Sequence, residues 1–300
     1  MRSPPMRSCM PPDPDTRTPD YVAPAGACDT HCHVFGPGDV FSYAPNRKYT
    51  PPDAPKEKLA SLHRTLGVDR AVIVQASCHG TDNTAMLDAI ASSDGQYLGV
   101  CNAAESFSSE DFSELHEGGI RGVRFNFVKH LGGAPDLEKM WDIIGHVEDM
   151  PWHVELHFDA RDLVEFEHVI DDIPLPVVID HMGRVPVEDG VGQPPFQALL
   201  EKFSEHNQLW VKVSGSERIS QAGPPFDDAV PFAQALIEVA PDRVLWGTDW
   251  PHPNISRFMP NDGDLVDMIP KMMADQEIQM RVLVENPQRL FGFPPAKSTV

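Results

Sequence analysis

The chain has 300 residues, 41% of them hydrophobic, which is enough for one large buried core, and a formal net charge of −21 at pH 7. The negative charge argues against nucleic acid as a partner, because binding to phosphates requires a basic surface. No apolar stretch approaches the roughly 18 residues of a membrane span, and the N-terminal residues contain no apolar segment typical of a secretory signal, so we expect a cytoplasmic protein that does not bind membranes.

The order of the predicted elements along the chain indicates the fold. Residues 1–24 are rich in proline and arginine, and we expect a disordered or extended lead-in there, followed by a single barrel domain over residues 25–300. Eight short apolar runs follow, separated by amphipathic segments of helical length. The runs lie near 27–34, 70–77, 97–103, 120–127, 152–158, 176–181, 209–215 and 243–249. Apolar strands that alternate with helices eight times predict an α/β fold, a single (β/α)₈ TIM-type barrel.

Polar side chains gather at the ends of several predicted strands, where barrel enzymes hold their catalytic groups. They are His31 and His33 in the first run, His157 in the fifth, His181 at the end of the sixth and Asp249 at the end of the eighth. Residues two apart on a strand face the same side, so His31 and His33 can bind one ion. A carboxylate such as Asp249, directly after an apolar run, is costly to bury without a positive partner.

Other residues admit more than one interpretation. Strand alternation turns Cys32 away from the flanking histidines, so we do not expect it to be a ligand. His181 could be a ligand, a proton carrier or a structural residue. His79, His130 and His252 could bind a ligand or simply lie in loops. Five cysteines without a CxxC pair predict no disulfide framework in a chain of this length.

Five segments together resemble the amidohydrolase superfamily. They are DTHCHVFGPG, RGVRFNFV, VVIDHMGR, VSGSERIS with GPP soon after, and DRVLWGTDWPHPN, and the resemblance spans about residues 27–292. Within the superfamily the chain is similar to the group of 2-pyrone-4,6-dicarboxylate hydrolase, which includes lactonases. The resemblance implies that Asp249 is the base that deprotonates the hydrolytic water, that His31 and His33 face the carbonyl, and that His181 polarises it or passes a proton.

The same resemblance implies a set of substrate-binding residues. The matching positions are Tyr49, Ser77, Arg124, Arg184, Arg218 and, in the place of an arginine, His130. The arginines would bind the acidic groups of a small substrate and so offset the unfavourable field of an acidic chain. Arginine binds a carboxylate through two parallel N–H donors, a geometry that His130 cannot reproduce. The dicarboxylate pyrone is therefore a weaker expectation than overall similarity suggests.

His157 stands where the metal-free pyrone-dicarboxylate hydrolase has a tyrosine and where metal-dependent members of the superfamily have a histidine. With His31, His33 and Asp249 it would form a site for Zn²⁺, with Mn²⁺ as the alternative ion. This departure resembles the metal-using 4-sulfomuconolactone hydrolase. The sequence therefore predicts a hydrolase of carboxylic esters, a metal-dependent lactonase that opens a small anionic muconolactone-type lactone in the degradation of aromatic compounds.

Three alternatives stay open. The first is a metal-free 2-pyrone-4,6-dicarboxylate hydrolase in which His157 is a bystander. The second is a metal-dependent decarboxylase or hydratase of the same superfamily, and the third is a barrel that binds an anion without catalysis. The sequence also leaves open the identity of the lactone, the identity of the metal and the oligomeric state, a homo-oligomer included.

Overall fold

A computed structural model describes residues 7–255 and 257–295. The strands are β1 Arg7–Ser8, β2 Cys28–Cys32, β3 Tyr49–Thr50, β4 Arg70–Val74, β5 Tyr97–Cys101, β6 Ile120–Asn126, β7 His153–His157, β8 Val177–Ile179, β9 Leu209–Lys212 and β10 Val244–Leu245. The helices are α1 Lys56–Leu66, α2 Thr84–Ala91, α3 Ser109–Glu117, α4 Leu137–Val147, α5 Leu163–Asp172, α6 Pro194–Glu205, α7 Ser216–Ile219, α8 Val230–Val239, α9 Asp262–Asp267, α10 Ile269–Met272, α11 Gln276–Met280 and α12 Asn286–Phe291. A π-helical turn at Arg281–Glu285 joins the last two helices.

Eight strands form one parallel sheet in the order β2, β4, β5, β6, β7, β8, β9, β10. Backbone hydrogen bonds between β2 and the segment after β10 close this sheet on itself. Thr30 N–H donates to Trp246 O at 2.9 Å, and Asp249 N–H donates to His31 O at 2.7 Å. The predicted (β/α)₈ barrel is confirmed, and its seam lies between the two chain segments that carry His31 and Asp249.

The barrel strands are buried on both faces, since helices cover the outside and side chains fill the inside. Every residue of β2, β4, β5 and β7 is buried. Several of the buried strand residues are nevertheless charged. Asp29 on β2, Glu155 on β7 and Lys212 on β9 have no exposed surface. Charges at such positions need partners inside the protein.

The helices form where an apolar stripe meets a capping residue. In α4 the stripe is Met140, Ile143, Ile144 and Val147, spaced to lie on one face, and the Asp136 side chain caps the first turn. Packing of such stripes against the sheet leaves the loops after each strand at one end of the barrel. Within the described residues, none of the helices combines the length and the apolarity that a membrane span requires.

From residue 7 onward, the segment predicted as a disordered or extended lead-in is hydrogen-bonded to the rest of the chain; residues 1–6 lie outside the described residues. Strand β1 pairs in parallel with β3. Arg17 N–H donates to Asn261 Oδ1 at 2.9 Å, and the Arg17 guanidinium binds Asp264 and Asp267. The domain boundary at residue 25 stays a prediction.

Candidate active site at the carboxyl ends of the strands

A cavity of about 430 Å³ lies at the carboxyl ends of the barrel strands. Its lining includes ten of the eleven predicted site residues. They are Tyr49, Ser77, Arg124, His130, Arg184 and Arg218 of the predicted substrate-binding set, and His33, His157, His181 and Asp249 of the predicted catalytic and metal-binding set. The eleventh, His31, is fully buried and does not line the cavity; its ring centre lies 4.4 Å from that of His181.

The carboxylate of Asp249 is the centre of the site. Its Oδ1 lies 3.1 Å from His33 Nε2 and 3.8 Å from both His31 Nε2 and His181 Nε2. Its Oδ2 accepts hydrogen bonds from the Arg218 guanidinium. Burial alone would raise the pKa of Asp249, but Arg218, His181 and the His33 hydrogen bond outweigh burial and hold this pKa well below its usual range. Asp249 is therefore an ionised carboxylate at neutral pH.

The backbone helps to aim the two predicted catalytic residues. His181 and Asp249 have φ angles of 51° and 67°, in the left-handed region that non-glycine residues rarely adopt. Such conformations persist where surrounding contacts enforce them and are frequent at active sites. The His181 ring is fixed by a 2.9 Å hydrogen bond between its Nδ1 and Ser214 Oγ, after β9.

Three histidines near Asp249, namely His31, His157 and His181, are neutral at pH 7. Burial and the nearby Lys212 ammonium lower the pKa of His31 to about 3. Burial also lowers the pKa of His157 well below its ordinary value, with further lowering by Arg124, and it lowers that of His181 in the same direction. Neutral imidazoles keep a nitrogen lone pair, which a metal ligand or a proton acceptor must have.

The residues present fit a divalent metal. The ligand atoms of His31, His33 and Asp249 all lie within 4.8 Å of one another. His31 Nε2 and both ring nitrogens of His157 are buried without a hydrogen-bond partner among the described residues. Two imidazoles and a carboxylate form a donor set typical of Zn²⁺. Three of the four predicted ligands are thus together, whereas His157 belongs to no such compact group and packs with its ring centre 5.5 Å from that of His181.

A buried ion network behind His31 was not predicted from the sequence. Lys212 Nζ lies 3.1 Å from His31 Nδ1 and 3.6 Å from Asp180 Oδ1, and it binds Glu155 Oε2. Arg124 donates to Asp180 Oδ2 through Nε at 2.9 Å and Nη2 at 2.7 Å. The signal in the sequence was a charged residue inside each of two apolar runs, VELH and WVKV. The network fixes the His31 ring from the side opposite Asp249.

The predicted substrate-binding residues surround this centre. Arg184 Nε donates to Asp159 Oδ1 at 2.9 Å, and burial, followed by repulsion from Arg218, lowers the pKa of Arg184. The guanidinium is thus a desolvated cation that an anionic group in the cavity would stabilise. Tyr49 is buried and hydrogen-bonds with Ser77 at the edge of the same cavity.

His252, which could have been an ordinary loop residue, is fully buried between two carboxylates. Its Nδ1 lies 3.3 Å from Glu217 Oε1, and its Nε2 lies 3.1 Å from Asp262 Oδ1. Burial alone would lower the pKa of His252, but the two carboxylates raise it to about 10. His252 is therefore an imidazolium that neutralises Glu217 at the edge of the cavity.

Two further candidates lie outside the cavity lining. His79 Nδ1 hydrogen-bonds with Ser42 O at 3.1 Å and so holds the loop after β2. Cys32 groups with Asp29 and His63, away from the cavity, in agreement with the alternation argument. Asp29 in turn accepts a hydrogen bond from Thr248 N–H at 3.0 Å across the barrel seam. His79 and Cys32 therefore lie apart from the residues that line the cavity.

The chain is similar to known proteins over most of its length. The amidohydrolase family model matches residues 28–293. A 2-pyrone-4,6-dicarboxylate hydrolase of Comamonas testosteroni is 48% identical over 91% of this chain and 92% of that protein, and a 4-sulfomuconolactone hydrolase of Rhizobium radiobacter is 42% identical over 91% and 92%. The crystal structure of a probable 2-pyrone-4,6-dicarboxylic acid hydrolase from Acinetobacter baumannii, with citric acid bound, has a TM-score of 0.78 at 29% identity and covers 89% of this chain and 100% of that one. The resemblance of the five segments is confirmed.

Proposed function

Because the chain belongs to the amidohydrolase family, we propose that it is a metal-dependent lactone hydrolase that opens a small anionic lactone of the muconolactone type during degradation of aromatic compounds. The observation that carries the proposal is the ionised Asp249 carboxylate, which faces three imidazole nitrogens at the base of an arginine-lined cavity. The names of the two sequence relatives, both hydrolases of cyclic esters with acidic substituents, support the reaction class.

Hydrolysis of a lactone requires a nucleophilic water, a polarised carbonyl and a proton for the leaving oxygen. A divalent ion held by His31, His33 and Asp249, with His157 as the fourth ligand, would supply Lewis-acid activation. Zn²⁺ fits this donor set, and Mn²⁺ is the alternative. The neutral imidazole of His31 and the ionised carboxylate of Asp249 have the protonation states that metal ligands need at neutral pH.

Asp249 takes the proton of the attacking water. Its Oδ2 is held by Arg218, so Oδ1 is the oxygen left to accept that proton, on the side of the histidines. Water oxygen bonds to the lactone carbonyl carbon, and the ring C–O bond then breaks. The proton held by Asp249 passes to the leaving oxygen, which leaves the carboxylate ready for another turnover.

His181 stabilises the charge that develops on the carbonyl oxygen and can carry the proton to the leaving group. When the Ser214 hydroxyl donates to Nδ1, the neutral ring carries its proton on Nε2, the nitrogen 3.8 Å from Asp249 Oδ1. This N–H is a fixed donor in a buried site, where such donors stabilise a developing anion strongly. Arg124, Arg184 and Arg218 orient the substrate by binding an acidic group within the cavity.

A test compares the purified protein with Asp249→Asn on a panel of acidic lactones. Ring opening releases a proton that a pH-stat records, and the product must gain the mass of one water without loss of CO₂. We expect loss of at least about 10³-fold in kcat for Asp249→Asn, with an unchanged circular dichroism spectrum. The matched control is Asp172→Asn, an exposed carboxylate at the end of α5. Most of the activity surviving in Asp249→Asn would contradict its role as the base.

A second candidate function, metal-free hydrolysis of 2-pyrone-4,6-dicarboxylate, is favoured by two observations. The relative that bears this name has the higher identity of the two, 48% against 42%. In addition, Arg218 already neutralises Asp249, and His157 lies outside the compact group of ligand atoms. Full turnover of the pyrone in the presence of a chelator would support this second function.

A further inference from the structure

The positive charges of the cavity differ in what neutralises them. Four arginines line it, and three of them each bind a carboxylate of the protein. The pairs are Arg124 with Asp180, Arg184 with Asp159, and Arg218 with Asp249. These three guanidiniums are held in place before any substrate binds, and each shares its charge with an internal anion.

Arg257 is the fourth arginine, and its partner is neutral. It follows β10 in the chain, on the loop that lines the mouth of the cavity, and its side chain is exposed. Its Nη1 donates to Gln221 Oε1 on the loop after α7, and its guanidinium lies 5.4 Å from the Phe258 ring centre. Among the residues that the structure describes, no carboxylate forms an ion pair with Arg257.

This arrangement leaves N–H donors of Arg257 available to a ligand. A guanidinium has five N–H donors in a planar fork, and Gln221 accepts from one of them. Contact with the Phe258 ring favours a fixed orientation of the guanidinium plane. Gln221, Arg257 and Phe258 all line the cavity, so the guanidinium lies within reach of a ligand bound there.

We propose that Arg257 is a specificity-determining residue that binds a second acidic group of the lactone at the mouth of the cavity. The proposal rests on the proposed function and concerns a lactone that carries two acidic groups, as does the dicarboxylate in the name of the Comamonas testosteroni relative. One acidic group lies among Arg124, Arg184 and Arg218, and the other, a carboxylate or a sulfonate, accepts hydrogen bonds from the Arg257 fork. Gln221 positions this fork through its side-chain oxygen.

The test measures KM and kcat of the wild type, Arg257→Ala and Arg257→Lys on 2-pyrone-4,6-dicarboxylate and on a 2-pyrone monocarboxylate. Hydrogen bonds to charged groups predict a rise of KM for the dicarboxylate of about tenfold or more in Arg257→Ala, with a much smaller change in kcat. The rise of KM for the monocarboxylate should be several-fold smaller. The KM of Arg257→Lys for the dicarboxylate should lie between those of the wild type and Arg257→Ala, because lysine keeps the positive charge but lacks the planar set of N–H donors. The control is Arg64→Ala, which removes the same charge from an exposed position on α1.

An equal loss on both substrates, or an unchanged KM for the dicarboxylate, would overturn the role of Arg257. If the wild type hydrolyses neither pyrone, the second candidate function fails separately from this inference, and hydrolysis of a muconolactone-type lactone is tested by its own assay. In that case calorimetric binding of the dicarboxylate still decides the role of Arg257: binding about tenfold weaker in Arg257→Ala supports it, and equal binding or no binding to the wild type overturns it.

Discussion

Replacement of Lys212 by methionine tests whether the buried ion network holds the barrel core together. Lys212, Glu155 and Asp180 have no exposed side-chain surface, and the ammonium binds Glu155 Oε2 and lies 3.6 Å from Asp180 Oδ1. Removal of one partner of a buried ion pair typically costs about 3–5 kcal/mol, because the other charge stays buried without compensation.

The structure indicates which charge would be left without compensation. Asp180 keeps the two hydrogen bonds from Arg124, at 2.7 and 2.9 Å, whereas Glu155 keeps a longer contact of 3.5 Å to the same guanidinium. Most of the expected loss, about 4 kcal/mol, should therefore come from the carboxylate of Glu155. The double variant Lys212→Met with Glu155→Gln removes both charges and should recover about 2 kcal/mol of that loss.

The assay is denaturant unfolding with chelator present in every sample, so that differences in metal binding do not enter the free energy of unfolding. The wild type, both single variants and the double variant complete a double-mutant cycle. A Lys212→Met protein within about 1 kcal/mol of the wild type would refute the reasoning, since a buried unpaired carboxylate cannot cost so little. Strict additivity of the two single effects would refute the pairing of Lys212 with Glu155.

Three further changes have expected outcomes. His252→Gln should be less stable than the wild type, with the largest difference below pH 6.5 and a smaller one as the pH rises toward 10. The reason is that the pKa of His252 is raised to about 10, and the imidazole stabilises the fold only while it is protonated. Denaturant midpoints at pH 6 and pH 9.5 measure this difference, and a difference independent of pH would contradict the prediction. Gly247→Ala should destabilise the barrel by more than about 1 kcal/mol, since its Cβ would lie 2.6 Å from His31 N at the seam. An unchanged denaturant midpoint would contradict this, because it would mean that the backbone at the seam accommodates the methyl group without loss of stability. In Gly263→Ala the new Cβ would lie 2.1 Å from Arg17 O, so the N-terminal segment should be displaced and trypsin should cleave faster after Arg17. Cleavage at the wild-type rate would mean that contacts other than the one at Gly263 hold the N-terminal segment in place.

The barrel itself could be predicted because its signal is local. Each parallel strand is buried on both faces, so the sequence shows a continuous apolar run, and each intervening helix shows a periodic stripe. The last strand shows the limit of this reasoning. The run near 243–249 predicted a long strand, but β10 spans only Val244–Leu245, because the residues that follow bond across the seam to β2 instead.

The residues of the cavity could be predicted for a related reason, since the ends of parallel strands meet at one side of the barrel. The distances between these residues could not be predicted from the sequence. Whether His157 or His181 lies nearer to Asp249 depends on side-chain directions and on backbone angles such as the positive φ of Asp249. The contacts of Lys212 with Glu155 and Asp180 depend on the register of three neighbouring strands. Arg257 lies in a loop whose path no periodic pattern encodes.

Metal content and activity after chelation test the central claim most directly. The protein is purified without chelator, its metals are measured by elemental analysis, and hydrolysis of a sulfomuconolactone-type lactone is followed before chelation, after chelation and after addition of Zn²⁺ or Mn²⁺. The account predicts about one divalent ion per chain, loss of activity on chelation and recovery on re-addition. A protein without bound metal that keeps full activity in chelator would contradict the account and would support the metal-free hydrolysis of the pyrone dicarboxylate.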